Sequence, residues 1–129
     1  MASNKHHAFE TEIEFELPKG YLDDSGTLHR KGTMRLATAA DEILPLRDPR
    51  VQQNEAYLAV IVLSRVIVRL GSLQDVHTGT IEGLYASDLA YLQRLYERFN
   101  AEEDGDGTPA PRGPKGAAAL RGMTTLGEA

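Results

Sequence analysis

From Phe9 to Leu17 the chain reads "FETEIEFEL", with every second residue a glutamate. Phe9, Thr11, Ile13, Phe15 and Leu17 fall on one side of this stretch, and Glu10, Glu12, Glu14 and Glu16 on the other. A period of two predicts a strand with one wet face. Pro18 and Gly20 end or bend that strand, and "DDSG" at Asp23–Gly26 supplies turn chemistry, with glycine free to take a positive φ. A second strand is expected from Leu28 to Thr38. It sets Arg30, Lys31 and Arg35 against the glutamates across a hairpin, with Gly32 marking a bulge.

The spacing then changes. Thr38 is suited to cap a helix whose first turn holds Asp41 and Glu42, and Pro45 limits that helix to about one turn before a connector. Asp48 and Pro49 open what reads as the main helix, continuing to Leu70 and closed by Gly71. On a wheel of 100° per residue, Ala56, Val60, Leu63, Ile67 and Leu70 form one stripe. Arg65 and Arg69 lie nearly opposite, flanked by Tyr57, Leu58, Ile61, Val62 and Val68. A surface helix ordinarily keeps that side polar. Apolar surface of this extent on a small chain marks an interaction site. Tyr57, Leu58, Ile61, Val62, Arg65, Val68 and Arg69 are therefore the candidate partner-binding residues, arginine being enriched at such interfaces. The plainer reading of the two arginines has their stems along the helix and their heads on Glu12, Glu16, Asp88 or another acid of the same domain.

A short turn is expected at Thr80–Tyr85. A last helix follows from Ser87, its N-cap, to Asn100, with Leu89, Leu92, Leu95, Tyr96 and Phe99 on one face and Gln93, Arg94 and Glu97 on the other. The fold class is α+β: a small N-terminal β-hairpin packed on two or three α-helices over residues 9–100. Residues 1–8 read as a flexible N-terminus. Residues 101–129 are rich in Gly, Pro and Ala and too poor in large apolar side chains to offset ordering entropy, so they read as a disordered tail.

A formal net charge of −5 argues against a nucleic-acid partner, which calls for a basic face. The absence of cysteine excludes disulfides and thiolate metal sites. The longest uninterrupted apolar run, "AYLAVIVL", is eight residues, where a membrane span needs about 20. No secretory signal is visible at the start, so a cytoplasmic product is expected.

Catalytic and metal-binding signatures are weak. "EDGDG" at Glu103–Gly107 opens like a calcium loop, yet the later ligand positions, including the closing glutamate, are missing, and an acidic linker is the better reading. His6, His7, His29 and His77 lack ligand spacing. Evenly alternating glutamates suit a solvated strand face better than a catalytic pair. No phosphate loop or nucleophile elbow is present. No enzyme activity, cofactor or metal is expected.

Two stretches, "FELPKGYLDDSGTLHRKGTMRLATAADEI" and "PLRDPRVQQNEAYLAVIVLSRVIVRLGSL", give residues 9–100 a layout that resembles the small phage tail assembly proteins. These are a chaperone-like group encoded among the tail genes of contractile phages, with related chains in phage-tail-like contractile injection systems. The family opens with a strand pair, a second strand of the "G…V.LR" kind and an acidic pair before a helical remainder. Gly32, Met34, Arg35, Leu36, Asp41 and Glu42 stand at those positions here. The resemblance implies a non-enzymatic assembly factor that binds a tape-measure or tail-tube protein, with self-association as another use of the same face. Two alternatives stand beside it. One is a structural subunit retained in the tail or baseplate. The other is a small ligand-binding module or enzyme, which would be favoured by a buried polar cluster with shifted pKa values.

Overall fold

The computed structural model describes residues 10–101. The expected flexible N-terminus and, Ala101 apart, the expected disordered tail lie outside the described residues. The fold is α+β: a three-stranded antiparallel sheet in the order β1-β2-β3 with short helices and one long one. Strand β1 is Glu12–Leu22, β2 is Leu28–Arg35 and β3 is Ile67–Leu70. The helices are α1 (Ala39–Ile43), α2 (Pro49–Gln53), α3 (Tyr57–Val66), α4 (Thr78–Glu82) and α5 (Ala86–Asn100), with a single 3₁₀ turn, Leu44–Arg47, between α1 and α2.

The hairpin is as the alternation requires. Phe15 and Leu17 are buried, Ile13 is half-buried, and Glu12, Glu14 and Glu16 are exposed. Pro18 and Gly20 bend β1 without ending it. Pairing runs from Glu12↔Arg35 to Glu16↔Lys31 and resumes at Tyr21↔His29, so that Leu17–Gly20 stand against Arg30 alone. The guanidinium of Arg30 donates to the carbonyls of Leu17 and Pro18 at 3.1 and 3.2 Å, and Gly20 takes a φ of +103°. The Asp88 carboxylate, at the start of α5, accepts from the amides of Lys19 and Gly20 at 2.9 and 2.8 Å. The bend thus docks the long helix on β1.

Gly32 is not a bulge. It pairs with Phe15 on one side and Leu70 on the other. A Cβ there would stand 2.5 Å from both the Phe15 ring and the Arg69 carbonyl, so the glycine permits a close approach of ring and strand.

The expected Pro49–Leu70 helix is three elements. Asp48 caps α2 through its carboxylate on the Arg50 amide, 2.8 Å, with Pro49 in the first turn, as expected. At Asn54 the backbone turns extended, and its side chain accepts from the Ala56 amide to start α3 afresh. At Ile67 the chain becomes a strand. The segment Val66–Val68 is β-branched throughout, which suits a pleated surface. The outer side of β2 needs partners for its backbone groups. Strand β3 supplies them, with Val68 as the extra residue of a bulge. Gly71 still takes a left-handed φ, +58°, but it closes a strand, its amide donating to the Lys31 carbonyl at 2.7 Å.

The core joins Phe15, Leu17 and Met34 of the sheet to Leu58, Ile61, Val62, Leu63 and Val66 of α3 and to Leu92, Leu95 and Tyr96 of α5. Helix α5 begins at Ala86 after Tyr85, not at a Ser87 cap, and Gln93, expected on the wet face, is buried. Among the described residues no helix is long and apolar enough to cross a membrane.

Candidate interaction surface

The wheel reading of a partner-facing strip on the middle helix required that strip to be exposed, and it is not. Leu58, Ile61 and Val62 are all buried, Ile61 at 8% exposure, and Tyr57 is half-buried. The physical reason is the shortness of α3. Its ten residues are packed against by α1, α2, the 3₁₀ turn, α4 and α5, and its inward side chains join those of the sheet in one core, so most of the circumference is covered. Tyr57 turns its hydroxyl to Glu82, and Arg50 stacks over its ring at 4.9 Å. Val68 is exposed at 49%, but it stands on the sheet edge and not on a helix.

The two arginines separate. Arg65 donates through Nε to the Asp41 carboxylate at 3.0 Å, the within-domain pairing of the plainer reading. Arg69 donates to the Thr33 hydroxyl at 3.0 Å. Asp41 is the centre of a clasp. Arg35 grips both of its oxygens, at 2.7 and 3.0 Å, and the Thr38 amide and hydroxyl add further bonds at 2.8 and 3.2 Å. Arg35 also donates to the Arg65 carbonyl, 2.9 Å, where α3 ends. One buried carboxylate therefore ties α1 to β2 and to the C-terminus of α3. Its pKa is held well below the usual carboxylate range, first by the Arg35 hydrogen bond and against the opposing effect of its own burial. Next to it, the buried Tyr96 hydroxyl donates to Glu42; burial and that carboxylate push its pKa up.

The clasp presents a surface that the sequence pattern did not reveal. Directly after Asp41, Ile43, Leu44 and Leu46 are exposed at 56%, 45% and 48%, while Pro45 between them is buried. Three large aliphatic side chains thus project from about one and a half turns of backbone. That backbone is held by the Asp41 network before it and by the Asp48 cap after it. Irregular spacing around a proline gave no helical or strand period, so the stretch read as a connector. A second, smaller apolar pair, Leu22 and Leu28, faces itself across the hairpin turn.

Of the histidines within the described residues, His29 is buried, its Nε2 2.8 Å from Asp23 and its Nδ1 accepting from the Ser72 amide. His77 caps α4, its Nδ1 accepting from the Gly79 amide. Both are occupied by local structure. His6 and His7, and the "EDGDG" stretch, lie outside the described residues. Among the described residues no group of three or more His, Asp or Glu side chains is arranged to hold a metal ion.

The residues that carry the tail-assembly resemblance have framework roles here. Gly32 admits Phe15, Met34 lies in the core, Arg35 and Asp41 form the clasp, and Glu42 meets Tyr96. Compared with protein-family models, curated proteins and solved structures, the chain matches none.

Proposed function

We propose that this protein is a non-enzymatic assembly factor of a phage tail or phage-tail-like injection system, and that it holds a tape-measure or tail-tube protein on the Ile43–Leu44–Leu46 surface. The observation that carries the reading is the exposure of these three aliphatic side chains on backbone held rigid at both ends. A preorganised apolar knob loses little freedom on binding, so burying it converts efficiently into affinity. The Asp41 clasp does not speak for catalysis. Every bond to that carboxylate favours its ionised form, and it is saturated by donors, so it is not poised to exchange a proton near neutral pH.

The test is co-expression of the protein with the tape-measure and tube proteins of its own gene neighbourhood. Leu44→Asp and Leu46→Asp, alone and together, should leave the circular dichroism spectrum unchanged and release the co-purifying tail protein. If the doubly substituted chain still binds, the surface named here is the wrong one. If no tail protein co-purifies with the unaltered chain, the assembly reading itself falls.

A further inference from the structure

The three aliphatic side chains of the proposed surface share it with a cation. A 3₁₀ helix has three residues per turn, so side chains three apart stand one above the other. The turn Leu44–Arg47 runs between Ile43 and Asp48 as its caps, which makes three columns. Pro45 and Asp48 form the inner column; Pro45 is buried, and Asp48 caps α2. Ile43 and Leu46 form the second column. Leu44 and Arg47 form the third, and the side chains of both these columns are exposed. The stem of Arg47 therefore extends the apolar surface, and its guanidinium stands at the rim.

The charge at that rim is positive, although the chain as a whole carries −5. Each acid of residues 41–50 is spent on an internal bond: Asp41 on Arg35 and Arg65, Glu42 on the buried Tyr96, and Asp48 on Arg50. Arg50 is held in turn by Asp48 and lies over the Tyr57 ring. Among the described residues Arg47 is in no ion pair.

We infer, resting on the binding surface proposed above, that the tail protein meets it with an apolar patch edged by carboxylates, one of them opposite Arg47. Rim charges of opposite sign steer the encounter and fix its register. The same carboxylates are repelled by Glu12, Glu14 and Glu16, exposed along β1, so the partner is admitted at one surface and turned away from the other. A second copy fits poorly. A two-fold contact sets a surface against itself, and here it brings Arg47 toward its own equivalent while the nearby acids are already bonded.

Surface plasmon resonance on the full chain, with the tape-measure and tube proteins of its gene neighbourhood as the probes, tests this. At an unchanged Tm, Arg47→Gln should weaken binding about three- to fivefold and Arg47→Glu about tenfold, mostly through slower association, as removing and reversing a rim charge do. About 1 M salt should bring Arg47→Glu within about twofold of the unaltered chain. Arg94→Glu makes the same change in net charge on the exposed side of α5 and should bind as the unaltered chain does. If Leu44→Asp abolishes binding while Arg47→Glu leaves it intact, the surface stands and the carboxylate-edged partner falls. Equal losses for Arg47→Glu and Arg94→Glu would overturn the inference too, since net charge alone would then decide. Self-association of the unaltered chain, seen by light scattering and lost in Leu44→Asp, would assign the surface to a second copy, with the same consequence. If Leu44→Asp binds undiminished, or neither tail protein binds the unaltered chain, the surface itself is wrong and the inference falls with it.

Discussion

Asp41 accepts from Arg35, Arg65 and Thr38 while almost wholly buried, and both arginines keep about a third of their side chains in water. Removing its charge leaves two guanidiniums facing a neutral amide at a site that excludes water. Asp41→Asn should cost about 2–3 kcal/mol, somewhat below the roughly 3–5 kcal/mol for breaking a fully buried pair, because the arginines can rehydrate; urea denaturation measures it. Gly71 is the second sensitive position. Its φ of +58° is left-handed, and a Cβ there would stand 2.2 Å from the Nδ1 of the buried His29. Gly71→Ala should therefore cost more than the usual price of a left-handed alanine, about 2–3 kcal/mol in all, seen as a lowered Tm. Gly26, also at positive φ, has open space around it, so Gly26→Ala should cost only the conformational part, about 1 kcal/mol.

Among the elements, α3 and β3 decide how the molecule is built. They derive from one apolar stretch, and the change from helix to strand at Ile67 turns the same side chains toward different neighbours. Ile61 lies in the core between sheet and helices, so Ile61→Asp buries a charge without a partner and should unfold the domain, with loss of the far-UV circular dichroism signal. Val68→Asp, on the exposed bulge of β3, should leave the Tm within a few degrees. If the stretch were one continuous helix, residues seven apart would lie on nearly the same side of it, and the two substitutions would act alike.

At the scale of the whole molecule, acid acts through carboxylates whose folded-state pKa lies below the ordinary value. Asp41 is lowered by Arg35, and Asp23 by His29 together with the Thr27 and Ser25 amides. A depressed pKa contributes stability that is full above the unfolded value of about 4 and is lost as pH falls through the folded value. Thermal melts should therefore hold steady from neutral pH to about pH 5 and then decline steeply, and Asp41→Asn should flatten part of that decline. The same scale separates the two sources of this fold. Sequence alone set the hairpin, because alternation and "DDSG" are local signals, and it set the Thr38 and Asp48 caps and the amphipathic α5, which need only near neighbours. It did not set the fate of Asn54–Leu70. Whether β-branched residues extend a helix or add a strand depends on the unpaired backbone of β2, which is distant in sequence and adjacent only after folding. The candidate surface followed the same division. Leu58, Ile61 and Val62 were apolar on any reading, but only packing decided that they are inside, and only the Asp41 clasp, joining residues 35, 41 and 65, decided that Ile43, Leu44 and Leu46 are outside.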